Sequence, residues 1–213
     1  MNNFYHKTEF KFSDEATSWI LDRYQHRYNT VFFHDLDSTQ SNPESQREWR
    51  LSLAGAELAS FLSRYNCDTG YYGINVFLSN TQELTRGNPH IDAKFSNGSV
   101  SKIKSRFNVM VLGNPLDPMV WWDTVRWGDS RLIDQHFTSI TGKSYVSRAI
   151  PGATPNERWE FLGQPSEEVT NLLTPSAFVR TDCAHTIYTS GQPRLIVTVA
   201  LDKTLEEILI HPK

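Results

Sequence analysis

The sequence predicts an α+β fold in which helices come first and an antiparallel β-structure follows. Apolar residues recur with helical spacing as far as about residue 65. After residue 70 the chain consists of short β-type runs separated by Gly, Pro, Asn and Asp. No strand–helix–strand alternation follows residue 71, which disfavours a parallel sheet. A double-sheet, cupin-like jelly roll fits the number of strands and closes off most exposed edges, with the N-terminal helices packed on one sheet.

Two helices are predicted in the N-terminal part. Ser13 is a candidate N-cap before an acidic first turn, which predicts a helix over residues 14–28. A longer apolar stripe predicts one continuous helix over about residues 46–65. Between the two helices we expect a short strand at 31–33 and a polar loop at 38–44.

The strands are predicted from runs of β-branched and aromatic residues after residue 70. They cover residues 71–78, 90–95, 106–112, 119–124, 176–181, 184–189 and 193–201, and SYVSRAI and RWEFL are candidates for two more.

The length predicts a single domain over residues 1–213, because the chain can bury one core but is too short for two domains of ordinary size. Its helical part covers about residues 1–70 and its jelly-roll core about residues 71–205. The segment within about 125–175 is less regular, and residues 128–140 in it are predicted to form a helix.

Charge and cysteine content limit the partners. The net charge of −3 gives no electrostatic reason to expect a broad nucleic-acid interface, so nucleic acid is a disfavoured partner. The dense basic run of Lys94, Lys102, Lys104 and Arg106 is interpreted as a solvated loop and strand start, with an anion or nucleic-acid contact as the alternative. Two cysteines, the lack of a signal-like N-terminus and the lack of a membrane-length apolar run predict a reduced, cytoplasmic setting.

Three residues have the donor types and the spacing of a metal site. His90 and Asp92 lie two residues apart in a predicted strand, so their side chains point to the same face. His185, in a late strand, supplies a third donor. Two imidazoles and one carboxylate on one face of an ion are the ligand set of non-haem Fe(II) oxygenases. His-x-Asp alone is a common coincidence, and an exposed turn is the alternative interpretation.

Arg194 adds a second requirement of the same chemistry. It lies nine residues after His185, at the head of the apolar run PRLIVTVAL. Arginine offers a planar fork that matches a carboxylate and stays charged when buried. A buried Arg194 would therefore bind an anion such as the far carboxylate of 2-oxoglutarate. In the alternative interpretation it opens the strand at the surface and meets water or an acidic residue.

With His90, Asp92, His185 and Arg194 in this order, the chain resembles the Fe(II)/2-oxoglutarate-dependent oxygenase superfamily. The resemblance spans about residues 71–201. The RFNVMVL strand after the first motif and the FVRTDCAHTI…PRLIVTV ending resemble small hydroxylase-like members near the aspartyl/asparaginyl and prolyl hydroxylase branches, some of them carried by bacteriophages. The resemblance implies a double-stranded β-helix, which is a jelly-roll variant. It also implies the His and Asp residues as ligands of Fe(II), 2-oxoglutarate as co-substrate bound by Arg194, and O2 as oxidant.

Further positions are assigned by this resemblance or by their place on a strand. Many members of the superfamily have Ser two residues after the Arg, where this chain has Ile196; Thr198, on the same strand face as the Arg, is a candidate replacement. Arg106 and Asn108 share one face of the next strand and are candidates for holding the co-substrate. Their alternative is an outward polar face. The long gap between the second and third ligands implies an insertion within 125–175, interpreted as a lid.

Aromatic residues and the second cysteine supply weaker candidates. Trp121 and Trp122 are adjacent and must point to opposite strand faces, one into the core and the other into a pocket or under the helices. Trp127, Arg158 and Trp159, assigned to the predicted insertion, are candidates for a substrate wall. Cys183 shares the face of the second histidine and is expected to pack rather than to bind metal.

The sequence thus predicts an oxidoreductase, a dioxygenase that hydroxylates a C–H bond of a peptidyl or amino-acid substrate and releases succinate and CO2. The intact aspartate argues against halogenation, which needs that ligand position free. The alternative is a cupin-like protein without oxygenase activity that binds a metal or a carboxylate.

Overall fold

The computed structural model describes residues 4–24, 32–37, 42–67, 71–79, 84–96, 99–138 and 144–210. Within them lie strands β1 (Tyr5–Thr8), β2 (Phe32–Asp37), β3 (Tyr71–Ser79), β4 (Leu84–Arg86), β5 (His90–Ser96), β6 (Ser99–Lys102), β7 (Ser105–Leu112), β8 (Met119–Arg126), β9 (Ile133–Thr138), β10 (Ser144–Ala149), β11 (Glu167–Val169), β12 (Ser176–Arg180), β13 (Cys183–Ser190) and β14 (Arg194–Leu201). The helices are α1 (Asp14–Tyr24), α2 (Pro43–Leu51), α3 (Leu53–Ser63), α4 (Pro155–Leu162) and α5 (Leu205–Leu209).

Two antiparallel sheets form the body of the molecule. One sheet is called the major sheet here because the largest apolar cluster packs on it, and it has the order β1-β12-β7-β14-β3-β2. The minor sheet has the order β11-β8-β13-β5-β10-β9, with β4 added to β13 and β6 added to β5. Each of the predicted jelly-roll runs coincides with a strand, and the predicted jelly roll is confirmed.

The N-terminal helices cover the outer face of the major sheet, as predicted. Phe107 of β7 and Phe178 of β12 point to this face, with their ring centroids 4.7 Å apart. Phe61 of α3 lies over both, with its ring centroid 4.8 Å from that of Phe107 and 6.2 Å from that of Phe178. Apolar residues of α1, α3 and the outward positions of β14 complete this core.

The predicted continuous helix over 46–65 is wrong, because the chain breaks at Ser52. Ser52 has an extended backbone (φ −76°, ψ 153°); its hydroxyl donates to the carbonyl of Trp49 at 2.6 Å and accepts from the amide of Gly55 at 3.0 Å. A Cβ on Gly55 would lie 2.1 Å from the same carbonyl oxygen, so the sharp turn needs glycine. Apolar periodicity continues across the break and hides it.

The other N-terminal predictions fall partly outside the described residues. Helix α1 agrees with the predicted start, and residues 25–28 of the predicted helix lie outside the described ranges. The strand predicted at 31–33 is present as β2, with residue 31 again outside them. Of the predicted 38–44 loop, residues 38–41 are not described, and Pro43 already begins α2.

Residues 128–138 do not form the helix predicted over 128–140, and residues 139–140 lie outside the described ranges. The segment contains β9, which pairs with β10 in a hairpin. SYVSRAI is a strand, as predicted, whereas RWEFL lies in α4 rather than in a strand. The signal for that helix is a capping box: the hydroxyl of Thr154 accepts from the amide of Glu157, whose carboxylate accepts from the Thr154 amide.

The two faces of the minor sheet have different coverings. Helix α4 packs on the outer face, where Trp159 meets Trp122 edge to face at a centroid distance of 4.7 Å. The inner face meets the major sheet, and at the β8–β12 end this interior is filled by an apolar cluster that contains Trp121, Met119 and Ile196. The remaining interior, towards β3, β5 and β14, holds polar side chains. No helix in the described part of the chain is long and apolar enough to cross a membrane.

The aromatic packing on the major sheet yields a stability prediction. Phe107→Ala should lower the free energy of unfolding by about 3–5 kcal/mol, because a fully buried ring is replaced by a cavity. Phe161→Ala is the matched control, since Phe161 is 50% exposed and should change it by less than about 0.5 kcal/mol. Urea denaturation measures both. Equal effects of the two substitutions would contradict the assigned core.

Candidate metal centre

Neighbouring strands of the minor sheet bring the three predicted donors together. His185 of β13 lies directly opposite His90 of β5 in the antiparallel register. Asp92, two residues after His90, points to the same inner face. Ile91 points to the opposite face and packs in the cluster under α4. Strand pairing alone therefore sets the relative positions of the two imidazoles and the carboxylate.

The donor atoms have the separation that one ion requires. His90 Nε2 lies 3.4 Å from Asp92 Oδ1, and His185 Nε2 lies 3.8 Å from Asp92 Oδ2. One ligand atom from each of the three residues lies within 4.8 Å of the others, the only such group found among the described residues. Ligands that share an ion at about 2 Å lie roughly 3–4 Å apart, so small side-chain rotations close the site.

Both imidazoles have the tautomer that metal binding needs. His90 Nδ1 donates to the carbonyl of Asn88 at 2.7 Å, and His185 Nδ1 donates to the carbonyl of Cys183 at 3.0 Å. A carbonyl oxygen can only accept, so each Nδ1 carries the proton. In the neutral ring the lone pair is then on Nε2, the atom that faces Asp92.

The carboxylate is held in its ionised form. Burial by itself would raise the pKa of Asp92, but the Arg106 guanidinium and the two imidazoles lower that pKa below its usual range. Arg106 Nε donates to Asp92 Oδ2, and its Nη1 lies 3.4 Å from the hydroxyl of Thr198. Since Oδ2 is taken by Arg106, Oδ1 is the oxygen that is available to an ion.

The two histidines differ in their electrostatics. Burial lowers the pKa of His185 to about 4, against the opposing effect of Asp92. Burial also acts to lower the pKa of His90, but the hydrogen bond and charge of Asp92 outweigh it and raise that pKa. The His90 side chain is 33% exposed and that of His185 only 6%, so the centre is open on the His90 side.

Arg194 lies inside the barrel rather than at the surface. It is 5% exposed, and neither Nε nor Nη1 has a hydrogen-bond partner among the described residues. Burial lowers its pKa to about 10, and the nearby carboxylate of Asp117 opposes this shift. Its guanidinium carbon lies 5.4 Å from the ring centroid of Phe77. A buried cation with unsatisfied donors is costly, so this position favours an anionic ligand.

Polar side chains line the interior between Arg194 and Asp92. Thr198 is paired with Asn108 on β7 and with Asn75 on β3, so all three point inward. They are 5%, 9% and 6% exposed, respectively. Arg106 and Asn108 therefore do not form the outward polar face considered above, because that face of β7 carries the helix-packed core.

Two residues of this interior were missed by the sequence analysis. Asn75 interrupts the apolar run YYGINVFL, and a polar residue in the middle of a buried strand is a usable signal. Asp117 lies in the turn between β7 and β8, and its proximity to Arg194 depends on the fold, so no local pattern indicates it.

The structure bears on three weaker expectations, of which the first is wrong and the other two agree with it. Trp127 and Trp159 pack on the outer face of the minor sheet, opposite to the metal donors, so the predicted substrate wall of Trp127, Arg158 and Trp159 is wrong. Both Trp121 and Trp122 are fully buried, the former inside the barrel and the latter under α4. Cys183 packs in the interior apolar cluster, and burial raises the pKa of its thiol to about 12.

The basic run does not form a patch. Its members point in different directions and meet different groups: Lys94 lies over the Tyr72 ring, Lys102 lies 4.0 Å from Asp182, Lys104 lies 3.4 Å from Glu207, and Arg106 binds Asp92. These residues therefore offer no common surface for a polyanion.

Comparison with solved structures gives a fold match. The crystal structure of SnoK, a non-haem α-ketoglutarate-dependent carbocyclase of nogalamycin biosynthesis, superposes with a TM-score of 0.50. The sequences are 11% identical, and the match covers 92% of this chain and 79% of SnoK. The chain shares the fold of that oxygenase. This agrees with the predicted double-stranded β-helix and confirms the predicted resemblance at the level of fold.

Two further solved structures are similar at lower scores. A viral collagen prolyl hydroxylase from Paramecium bursaria Chlorella virus-1, solved with 2-oxoglutarate, has a TM-score of 0.43 and 8% identity over 92% of this chain and 94% of its own. A prolyl-4-hydroxylase from Pseudomonas putida has a TM-score of 0.42 and 9% identity over 93% and 87%. No family model and no curated protein sequence matches the chain.

The donor geometry predicts how metal binding depends on the histidines. His185→Ala should weaken Co(II) binding at least about 100-fold, because one of three ligands is lost from a site assembled by strand pairing. Isothermal titration calorimetry measures the affinity. His136→Ala, at an exposed position of β9, is the control and should bind as wild type. Equal affinity of both variants would rule out the assigned centre.

Proposed function

We propose that this protein is an Fe(II)- and 2-oxoglutarate-dependent dioxygenase that hydroxylates a C–H bond. One observation carries the proposal: the His90, Asp92 and His185 donors and the buried, unsatisfied guanidinium of Arg194 face the same interior of a double-stranded β-helix. A metal site alone fits many functions. A metal site that faces the same barrel interior as a guanidinium whose Nε and Nη1 lack partners among the described residues fits a chelating co-substrate with a distal carboxylate.

The donor set fits Fe(II). Two imidazoles and one carboxylate would hold Fe(II) from one side, and the metal would then have positions left for a keto acid and O2. His90 and His185 have their Nδ1 protons bound to carbonyls, so Nε2 is in each ring the nitrogen that can coordinate once the ring is neutral. Asp92 is ionised before metal arrives, because Arg106 stabilises its charge.

The polar interior residues are assigned to the co-substrate. Arg194 binds the distal carboxylate of 2-oxoglutarate, and the resulting pair satisfies guanidinium nitrogens that otherwise lack partners. Thr198 and Asn108 supply hydroxyl and amide groups along the cavity wall. Ile196 occupies the position where related enzymes have a serine, and it points into the apolar cluster, so the hydroxyl must come from elsewhere on the strand.

Arg106 is assigned to the metal end of the cavity. It holds Oδ2 of Asp92, which favours monodentate coordination through Oδ1 and keeps a ligand position open. Its positive charge also lies close to where the keto-acid end of 2-oxoglutarate would bind, and thereby favours that anion.

When bound, Fe(II) supplies the oxidation, in which 2-oxoglutarate and O2 are converted to succinate and CO2 and one oxygen atom is inserted into the C–H bond of the substrate. The protein orients the co-substrate through Arg194 and keeps water from the interior. We propose that residues 1–213 act as one oxygenase domain, in which the segment within about 125–175 contributes the β9–β10 hairpin beside the centre.

The inner face of this hairpin supports a peptidyl or amino-acid substrate. Ala149 and Ser147 lie opposite His90 and Asp92 in the register, and Gln135 of β9 lies beside Ser147. The charged side chains of the hairpin, such as Arg148, point to the outer face. The hairpin positions that face the centre therefore carry small or uncharged side chains, which suits an uncharged side chain or backbone amide better than a phosphate-rich strand.

The function is tested by co-substrate turnover. Purified protein with Fe(II), ascorbate, 2-oxoglutarate and O2 should form succinate slowly on its own and faster with an active member of a panel of peptides, amino acids and nucleosides. His90→Ala should reduce succinate formation to the background rate. Turnover that persists in this variant, or its absence from the wild type across the whole panel, would contradict the proposal.

The second candidate function is a cupin-like protein that binds a metal or a carboxylate without oxidation, since the same residues would serve it. Anaerobic addition of 2-oxoglutarate to the Fe(II) protein distinguishes the two. An oxygenase site should give the weak visible absorption of a keto acid chelated to Fe(II), whereas a binding protein that holds the carboxylate only through Arg194 should not.

The buried charge of Arg194 predicts opposite effects on stability and binding. Arg194→Met should raise the free energy of unfolding of the ligand-free protein by about 1–3 kcal/mol, because unsatisfied buried donors are removed. It should also weaken 2-oxoglutarate binding to the Co(II) protein by about 10- to 100-fold, because a charge-assisted hydrogen bond is lost.

Urea denaturation and calorimetry measure these two quantities. The exposed Arg64 provides the control, since Arg64→Met should change neither. Unchanged 2-oxoglutarate affinity in Arg194→Met would remove Arg194 from the co-substrate site.

A further inference from the structure

The two imidazoles of the candidate centre are supported in different ways. The carbonyl that orients His185 belongs to Cys183, in the same strand β13, which pairs with β8 and β5. The carbonyl that orients His90 belongs to Asn88, which precedes the first residue of β5. Strand pairing therefore fixes the carbonyl that orients His185. The position of the carbonyl that orients His90 depends instead on the contacts of residues 87–89.

Residue 87 is clamped between a strand and a helix. The amide of Gly87 donates to the carbonyl of Ile187 at 3.1 Å, and its own carbonyl accepts from Trp159 Nε1 at 3.0 Å. A Cβ at this position would lie 2.3 Å from the Ile187 carbonyl oxygen and 2.4 Å from the Thr186 hydroxyl. Only glycine permits this approach of the 87–89 segment to β13.

Residue 88 is held by a side chain from the same helix. Arg158 Nη1 donates to Asn88 Oδ1, the side-chain oxygen of the residue whose backbone carbonyl orients His90. The guanidinium is itself fixed, because its Nε and Nη2 both donate to the carbonyl of Gly152, at 3.0 and 2.8 Å. A continuous set of hydrogen bonds thus runs from Gly152 through Arg158 and Asn88 to the imidazole.

This set of contacts reaches the centre from outside the barrel. Helix α4 packs on the outer face of the minor sheet, and its start is fixed by the Thr154–Glu157 capping box. Arg158 therefore has no place among the groups that touch a ligand in the interior. Its planar fork serves two acceptors at once, which a lysine ammonium at the end of a flexible chain does less well.

We propose that Arg158 is a positioning residue that orients the His90 imidazole through Asn88, so that helix α4 sets the metal affinity of a centre it does not touch. The inference rests on the proposed metal centre but is independent of the substrate. Loss of Arg158 keeps all three donor residues and the two hydrogen bonds of Gly87, but it removes the side-chain restraint on Asn88. The Asn88 carbonyl can then shift, which lets the His90 ring rotate away from the direction of the other two donors.

The test uses Co(II) as probe, because its affinity and its visible d–d spectrum report coordination without turnover. Arg158→Met should weaken Co(II) binding by about tenfold and alter the spectrum. A tenfold loss is at the lower end of the effect expected when a residue that supports a metal ligand by hydrogen bonding is removed. Asn88→Ala should do the same, and the double variant should lose no more than either single one, because both remove one hydrogen bond. Arg158→Lys should recover part of the affinity.

Arg131→Met is the matched control, since Arg131 lies against Phe161 of the same helix at 5.3 Å and has no contact with residues 87–89 in the described structure. It should bind Co(II) as wild type. Binding by Arg158→Met within about twofold of wild type, or fully additive losses in the double variant, would overturn the inference while leaving the centre intact. Failure of the wild type to bind Co(II) would overturn both the inference and the proposed function.

Discussion

The alternation of side chains along paired strands is the constraint on which the rest of this structure depends. In β7, Phe107 and Val109 point to the helices, so Arg106 and Asn108 must point into the barrel. The same alternation turns Thr198 inward between apolar neighbours of β14. A shift of one residue in either strand would bury these polar groups under the helices and move the aromatic core into the cavity.

The inward polar groups are satisfied unequally at the two ends of the interior. At the metal end, Asp92 and Arg106 neutralise one another, and Thr198 adds a hydroxyl near the guanidinium. At the other end, burial lowers the pKa of Arg194, and the nearby carboxylate of Asp117 opposes this shift. Nε and Nη1 of Arg194 have no hydrogen-bond partner among the described residues, so the binding of an anion there relieves a cost already present in the fold.

The shared orientation of His90 and Asp92 was predictable from sequence, because side chains two residues apart on a strand point to the same face. Arg194 was predictable because it stands at the head of an apolar run. The break between α2 and α3 at Ser52 was not predictable, since the apolar stripe continues across it. Gly55 is the one local sign that the backbone there lies close to the Trp49 carbonyl. The position of Arg158 within the predicted insertion does not tell which face of the sheet it covers, and the capping box that marks its helix lies upstream of RWEFL. The contact of Arg158 with Asn88 joins residues distant in sequence and has no local signal.

The minor sheet separates two tasks by its two faces. The inward face of the β9–β10 hairpin, with Ile133, Gln135 and Ser147, lies beside the donors, whereas α4 packs against the opposite face of the sheet. Ile133 is 51% exposed, so its side chain can be changed with little effect on the packing behind the sheet, whereas the buried Ser147 has no room for a larger one. Redesign of the surface beside the donors would therefore begin at Ile133.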